Sequence, residues 1–182
     1  NYIDYDVASL NQFAGRDDFL HVTAHEIHHI LLGGLLGAVG IRSEDFFLQN
    51  FAYEGLAVHF NNNQGTLMKS PKYSGPVYGM QQEDMDFYEA NFDAIFAMIR
   101  ADYEMAKNLP LEEIPNLVSE HYEIFTFLGK PVKQSPTYYF GCYLWGLVDL
   151  RYGKEKLFEA IANPPLFVQL YNHAAAEKYR LG

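Results

Sequence analysis

Apolar residues recur every three or four positions along most of this chain, which is the spacing of amphipathic helices. The clearest example is a helix predicted from Glu83 to Lys107, whose inward positions follow this spacing throughout. These inward positions are Met85, Tyr88, Phe92, Ile95, Ile99 and Tyr103. The same spacing predicts a helix from Phe19 to about Leu36 and another from Ser43 to about Phe60.

Proline and glycine predict the boundaries of the remaining helices. A helix is predicted from Asn116 to Leu128, because Gly129 follows it directly. Ser135-Pro136 is a typical helix start, and the helix that it opens should end near Gly153. Two shorter helices follow, separated by Pro164 and Pro165.

Two stretches depart from the helical spacing. Residues Tyr2–Val7 alternate apolar and polar side chains, which is the period of a strand. Residues 61–81 contain three glycines and two prolines, which indicate an irregular loop or a hairpin. The chain is therefore predicted to be mainly α, with at most a short β element near the N-terminus or in 61–81.

Length and charge narrow the class of protein. The 182 residues are most simply one domain, 1–182. The formal net charge is −10 and no basic cluster is present, which argues against nucleic acid or an anionic membrane as a partner. The longest apolar run, Ile30–Ile41, contains four glycines and is too short to span a bilayer.

The strongest chemical signal is an HExxH string at residues 25–29, inside the first predicted helix. One helical turn places His25 and His29 on the same face, so both imidazoles can reach one zinc ion. Glu26 lies beside that face, where it can take a proton from a metal-activated water. The two histidines share their stripe with three apolar residues, Val22, Leu32 and Leu36.

A surface helix rich in His and Glu is the alternative interpretation of this string. By composition, HExxH should arise by chance roughly 0.02 times in such a chain, so the match favours a metal site. Two imidazoles on an apolar stripe also need polar partners, and a metal ion supplies them.

Catalytic zinc usually takes three protein ligands and leaves one position for water. Glu54 is the predicted third ligand, because it lies on the apolar stripe of the next helix, where an unpaired carboxylate would be costly. Gly55 and Ala57 are small enough to let this helix approach the first one closely. An ion pair with an arginine, or a helix cap, is the alternative role for Glu54.

An HExxH helix followed by a helix with Glu in an ExxA setting resembles the gluzincins, zinc peptidases with two His ligands and one Glu ligand. The Tyr-Glu-Gly-Leu-Ala string at residues 53–57 is similar to bacterial families described as putative zinc-dependent peptidases. The resemblance covers His21 to about Asn62. It implies a zincin-like helical domain in which the HExxH helix packs on the helix that carries Glu54.

The same resemblance implies a metal site and a mechanism. Zn²⁺ would be bound by His25, His29 and Glu54, and a peptide or protein would be the substrate. Glu26 would be the general base that activates water and passes its proton to the leaving amine.

A second similarity concerns Tyr138 and Gly141. Gluzincins related to membrane alanyl aminopeptidase carry a catalytic tyrosine three residues before a glycine, on a helix beyond the zinc ligands. This implies that the Tyr138 hydroxyl stabilises the oxyanion of the tetrahedral intermediate. Tyr139 is a weaker candidate for this role, and a core position in an aromatic helix is the alternative for both tyrosines.

The other histidines are expected to play smaller roles. His21 should lie in the second sphere or face solvent, and His28 should point away from the metal. His59 should leave the face of Glu54, and His173 should lie at the surface. His121 is a further candidate for an oxyanion donor.

Two functions compete with peptide hydrolysis. The first is a catalytically inactive, metal-stabilised binding or scaffold domain, and the second is a zinc amidase that acts on a non-peptide substrate. Only about eighteen residues precede the motif helix, where gluzincins commonly place a sheet. The chain begins at Asn1, so either it is a fragment that lacks an upstream sheet subdomain or its cleft differs.

Overall fold

The computed structural model describes residues 16–35, 41–62, 79–124 and 126–182. Eight α-helices and one two-stranded sheet make up the regular structure of these ranges. The prediction of a mainly α fold is therefore confirmed. None of the helices in the described ranges has the length and hydrophobicity needed to cross a membrane.

The helices and strands are numbered in chain order. The α-helices are α1 (Arg16–Leu35), α2 (Ser43–Asn61), α3 (Gln82–Ala90), α4 (Phe92–Ala106), α5 (Ile114–His121), α6 (Pro136–Tyr152), α7 (Lys154–Ala162) and α8 (Pro164–Ala174). Short 3₁₀ turns lie at Leu111–Glu113 and Glu177–Tyr179. Strands β1 (Thr126–Phe127) and β2 (Lys130–Pro131) pair antiparallel, with Phe127 opposite Lys130.

Helices α2 and α6 form the centre of the core. Helix α6 is apolar on nearly all sides, which is typical of a helix that other elements surround. Its Trp145 donates a hydrogen bond of 3.2 Å to the Leu48 carbonyl oxygen in α2. On another side, Trp145 stacks on Phe167 of α8, with ring centroids 3.8 Å apart. The two helices are thus fixed to each other and to the C-terminal part of the chain.

Glycines bring the backbones of α2 and α6 into direct contact. A Cβ atom added to Gly55 would overlap the backbone of Gly141, and one added to Gly141 would overlap the Phe51 carbonyl group. The prediction that Gly55 lets α2 approach the first helix was therefore wrong, because Gly55 faces α6. Ala57 does face α1, since it lines a groove together with Ala24.

The predicted helix from Glu83 to Lys107 is two helices, α3 and α4, that meet at Asn91. The Asn91 backbone leaves the helical conformation, with φ −108° and ψ 14°. Its side-chain amide donates to the Phe87 carbonyl oxygen at 2.8 Å, which competes with regular helical hydrogen bonding. All six predicted inward residues are nevertheless buried. The hydrophobic period therefore predicted the buried positions correctly, but it did not predict the helix break at the polar residue Asn91.

The helix predicted from Asn116 to Leu128 was wrong in its second half. Helix α5 ends at His121, and a hairpin occupies 126–131. Leu128 and Gly129 form its turn with φ angles of 48° and 78°, and two-residue hairpin turns require such positive values. The β element of the described residues thus lies in this hairpin, which is in neither of the two predicted places. The predicted strand Tyr2–Val7 and most of 61–81 lie outside the described residues.

A buried carboxylate fixes where α6 begins. Asp84, in α3, accepts hydrogen bonds from the backbone N–H groups of Lys133 and Gln134, at 2.8 and 3.0 Å. The Tyr88 hydroxyl donates to the Gln134 carbonyl oxygen at 2.6 Å. Pro136 then occupies the first helical turn, as predicted. These bonds hold the first turn of α6, which carries Tyr138.

Candidate metal centre

The three predicted metal ligands meet where α1 packs against α2. The Nε2 atom of His25 lies 3.1 Å from Oε2 of Glu54, and Nε2 of His29 lies 3.4 Å from the same oxygen. One potential ligand atom from each residue lies within 4.8 Å of the other two. Within the described ranges, no other group of three or more His, Cys, Asp or Glu side chains has this arrangement.

Helical geometry explains why the two histidine rings lie side by side on one face of α1. One turn of α1 separates them, and their rings meet edge to face with centroids 4.6 Å apart. His25 and Leu32 are buried, as the predicted stripe requires. Val22 is 37% exposed, so it was wrongly placed on that stripe. The buried face of α1 is therefore narrower than its sequence indicates, and Leu36 lies outside the described residues.

The donor set fits a zinc ion. Zinc binds imidazole nitrogen and carboxylate oxygen at about 2.0–2.2 Å with tetrahedral geometry, so two ligand atoms lie about 3.3–3.5 Å apart. The two nitrogen–oxygen separations, 3.1 and 3.4 Å, come close to this spacing. The three side chains could therefore turn from hydrogen bonding with one another to metal binding with small movements.

Electrostatics keeps Glu54 in the form that binds a metal. Burial alone would raise the pKa of Glu54, but hydrogen bonds from His25, His29 and Tyr138 outweigh it and lower this pKa to about 2. Burial likewise opposes the charged form of His29, yet the bond to Glu54 raises the His29 pKa overall. The carboxylate is thus ionised at neutral pH and attracts positive charge.

Tyr138 lies beside the same carboxylate. Its ring stacks on His25 with centroids 6.0 Å apart and planes 15° from parallel. Burial, followed by the charge and the hydrogen bond of Glu54, raises the Tyr138 pKa above its usual value. The hydroxyl therefore stays protonated at neutral pH and can donate a hydrogen bond. Tyr139 instead packs in the core against Tyr88.

The contact between α2 and α6 explains why Tyr138 meets Glu54. Gly55, next to Glu54, touches Gly141, which lies one turn after Tyr138. The close helix crossing at these glycines brings these two candidate side chains together. The Tyr-x-x-Gly spacing thus has a packing reason in this chain.

Glu26 follows His25 directly in α1. Its side chain is half-buried. Its charge contributes to the raised pKa of both His29 and Tyr138. The structure thus brings together His25, His29, Glu54 and Tyr138, and Glu26 acts on His29 and Tyr138 through its charge.

One neighbour of the site was missed by the sequence reasoning. The Tyr53 ring stacks on the His29 ring, with centroids 4.7 Å apart and planes 12° from parallel. The only sequence signal was its position next to Glu54 on the helix that faces α1. Periodicity alone does not distinguish such a contact from an exposed aromatic residue.

The remaining histidines have partners or positions of their own. His21 bonds to Asn61 at 2.9 Å, which adds a tie between α1 and α2. His59 bonds to Asp149 at 2.7 Å, and His121 bonds to Asp102 at 2.9 Å. His173 is exposed, as predicted. His28 points away from the candidate metal site, also as predicted, and lines a groove on another side of α1.

Comparison with known proteins adds one finding. The model of a family described as putative zinc dependent peptidase (DUF5700) matches residues 5–179, which is nearly the whole chain. No curated protein and no solved structure matches this chain. The match includes both helices of the candidate metal centre and the first turn of α6.

Proposed function

Because the chain belongs to the DUF5700 family of putative zinc dependent peptidases, we propose that it hydrolyses peptide bonds with a gluzincin-type centre. His25, His29 and Glu54 are the zinc ligands in this proposal, and a peptide or protein is the substrate. The convergence of these three side chains from two helices is the observation that carries it. Their spacing and the ionised state of Glu54 support the assignment.

Zinc, Glu26 and Tyr138 each have a separate role in the proposed reaction. Bound zinc would polarise the scissile carbonyl and lower the pKa of a water molecule. Glu26 accepts the proton of the attacking water and delivers it to the leaving amine. Tyr138, protonated at neutral pH, donates a hydrogen bond to the oxyanion that develops on the carbonyl.

The surroundings of the ligands favour an enzyme over a metal-stabilised scaffold. Structural zinc sites are closed by four protein ligands, whereas catalytic sites keep a position open. Within the described residues, the group contains only three candidate ligands. The Glu54 side chain is 25% exposed, so water can reach it. A non-peptide amide would require the same residues, and substrate assays separate that possibility.

Removal of a ligand should remove the metal. We expect purified wild-type protein to carry about one zinc per chain, and His25→Ala and Glu54→Ala to lose most of it, because two protein ligands hold zinc poorly. Elemental analysis after dialysis measures the content, and circular dichroism verifies folding. His173→Ala, at an exposed position, is the control that should keep its zinc. Full zinc content in both ligand variants would refute the ligand set.

Loss of the Tyr138 hydroxyl should slow the chemical step. We expect Tyr138→Phe to lower kcat about 100-fold with little change in zinc content, because one donor to the oxyanion is gone. Steady-state kinetics on a peptide substrate measures the effect. Tyr139→Phe is a matched control, since this neighbouring hydroxyl is buried without a hydrogen-bond partner among the described residues. Equal rates in wild type and Tyr138→Phe would exclude the proposed role.

A further inference from the structure

We propose that Tyr53 is a positioning residue of the metal centre, which holds the His29 imidazole in place for zinc. This inference rests on the proposed function, because it assumes that His29 is a ligand. It assigns to Tyr53 a task that acts through His29 and requires no contact with substrate.

Two contacts join Tyr53 to His29 across the interface of α2 and α1. The rings stack nearly parallel, 12° apart, with centroids separated by 4.7 Å. The Tyr53 hydroxyl donates a hydrogen bond of 3.4 Å to the His29 carbonyl oxygen. Tyr53 precedes Glu54, so one short segment of α2 provides both the third ligand and a support for the second. The two helices must therefore keep their register for either contact to form.

Among the described residues, the two histidines lack the hydrogen-bonded support that metal ligands usually have. A ligating imidazole normally donates its second ring N–H to a carboxylate or carbonyl group, which fixes the ring orientation. The Nδ1 atoms of His25 and His29 are buried and have no hydrogen-bond partner within the described ranges. Ring stacking against tyrosine takes the place of that bond. His25 stacks on Tyr138 at 6.0 Å, and His29 stacks more closely on Tyr53.

Core packing does not account for Tyr53. Tyr53 is 39% exposed, whereas Ala52 and Gly55 on the same helix are buried. The Tyr53 hydroxyl lies near Gly33, one turn after His29, where an added Cβ atom would be in ordinary van der Waals contact with it at 3.5 Å. The main partner of the ring is therefore the imidazole.

The test measures zinc affinity by competition with a chromophoric chelator of known zinc affinity. We expect Tyr53→Leu, which removes the ring, to bind zinc about tenfold more weakly, as for other residues that orient a metal ligand. Tyr53→Phe keeps the ring and should restore affinity to within about twofold of wild type, because the lost hydrogen bond is long. The absorption spectrum of the Co²⁺-substituted protein should change in Tyr53→Leu alone, since it reports ligand geometry.

Phe158→Leu is the matched control, because it also replaces a half-exposed helical aromatic residue but lies in α7. It should leave zinc affinity and the Co²⁺ spectrum unchanged. If wild type and His25→Leu bound zinc equally weakly, the proposed function itself would fail. If wild type bound zinc tightly and Tyr53→Leu matched it in affinity and spectrum, only the role of Tyr53 would be overturned. Tyr53→Phe as weak as Tyr53→Leu would also overturn the stacking argument.

Discussion

Glu26→Gln should bind zinc as the wild type does and lose about 1,000-fold in kcat/KM for peptide hydrolysis. Glutamine has nearly the same shape as glutamate but cannot accept a proton at neutral pH. The variant keeps all three candidate ligands, so its metal content should not change. Turnover of a mixture of fluorogenic peptides by zinc-loaded protein measures the loss, and elemental analysis measures the metal.

Glu120→Gln is the control for this substitution, because it makes the same chemical change at an exposed position on α5. It should turn over peptides at the wild-type rate. Wild-type turnover in Glu26→Gln would remove Glu26 from the role of general base. Repeating the assay with non-peptide amides separates the three candidate functions, because an amidase would cleave only these amides and a scaffold would cleave neither class.

The parts of the site that follow from local periodicity could be predicted. His25 and His29 share a face because a helix repeats every 3.6 residues, and this holds whatever surrounds the helix. Glu54 could be placed on the inner face of α2 for the same reason. Its meeting with the histidines required one further assumption, that consecutive helices pack against each other.

Features that depend on turns and on helix pairing could not be predicted in this way. The Asn91 break and the hairpin at 126–131 come from local hydrogen bonding and from a turn with positive φ angles, which the hydrophobic period does not record. The contact of Gly55 with α6 instead of α1 is of the same kind. A small residue indicates that some helix approaches closely, but it does not indicate which helix.

This pairing matters for function because the candidate site draws on three helices. Helix α1 carries the histidines and Glu26, α2 carries Glu54, and α6 carries Tyr138. The α1–α2 contact assembles the ligands, whereas the α2–α6 contact delivers the candidate oxyanion donor. The glycine crossing is therefore a point where a single added methyl group should disturb both the core and the site.

Gly141→Ala should lower the free energy of unfolding by about 3 kcal/mol or more. The new Cβ atom would overlap the Phe51 carbonyl group, and a backbone group inside a helix cannot rotate away as a side chain can. Alanine favours the helix by about 1 kcal/mol over glycine, which offsets only part of this cost. Urea denaturation followed by circular dichroism measures the change.

Gly33→Ala is the control, because its Cβ atom would meet only ordinary contact distances. This substitution should change the free energy of unfolding by less than about 1 kcal/mol. Equal stability of Gly141→Ala and wild type would mean that the backbones of α2 and α6 are not in direct contact, and the packing reason for placing Tyr138 beside Glu54 would be lost.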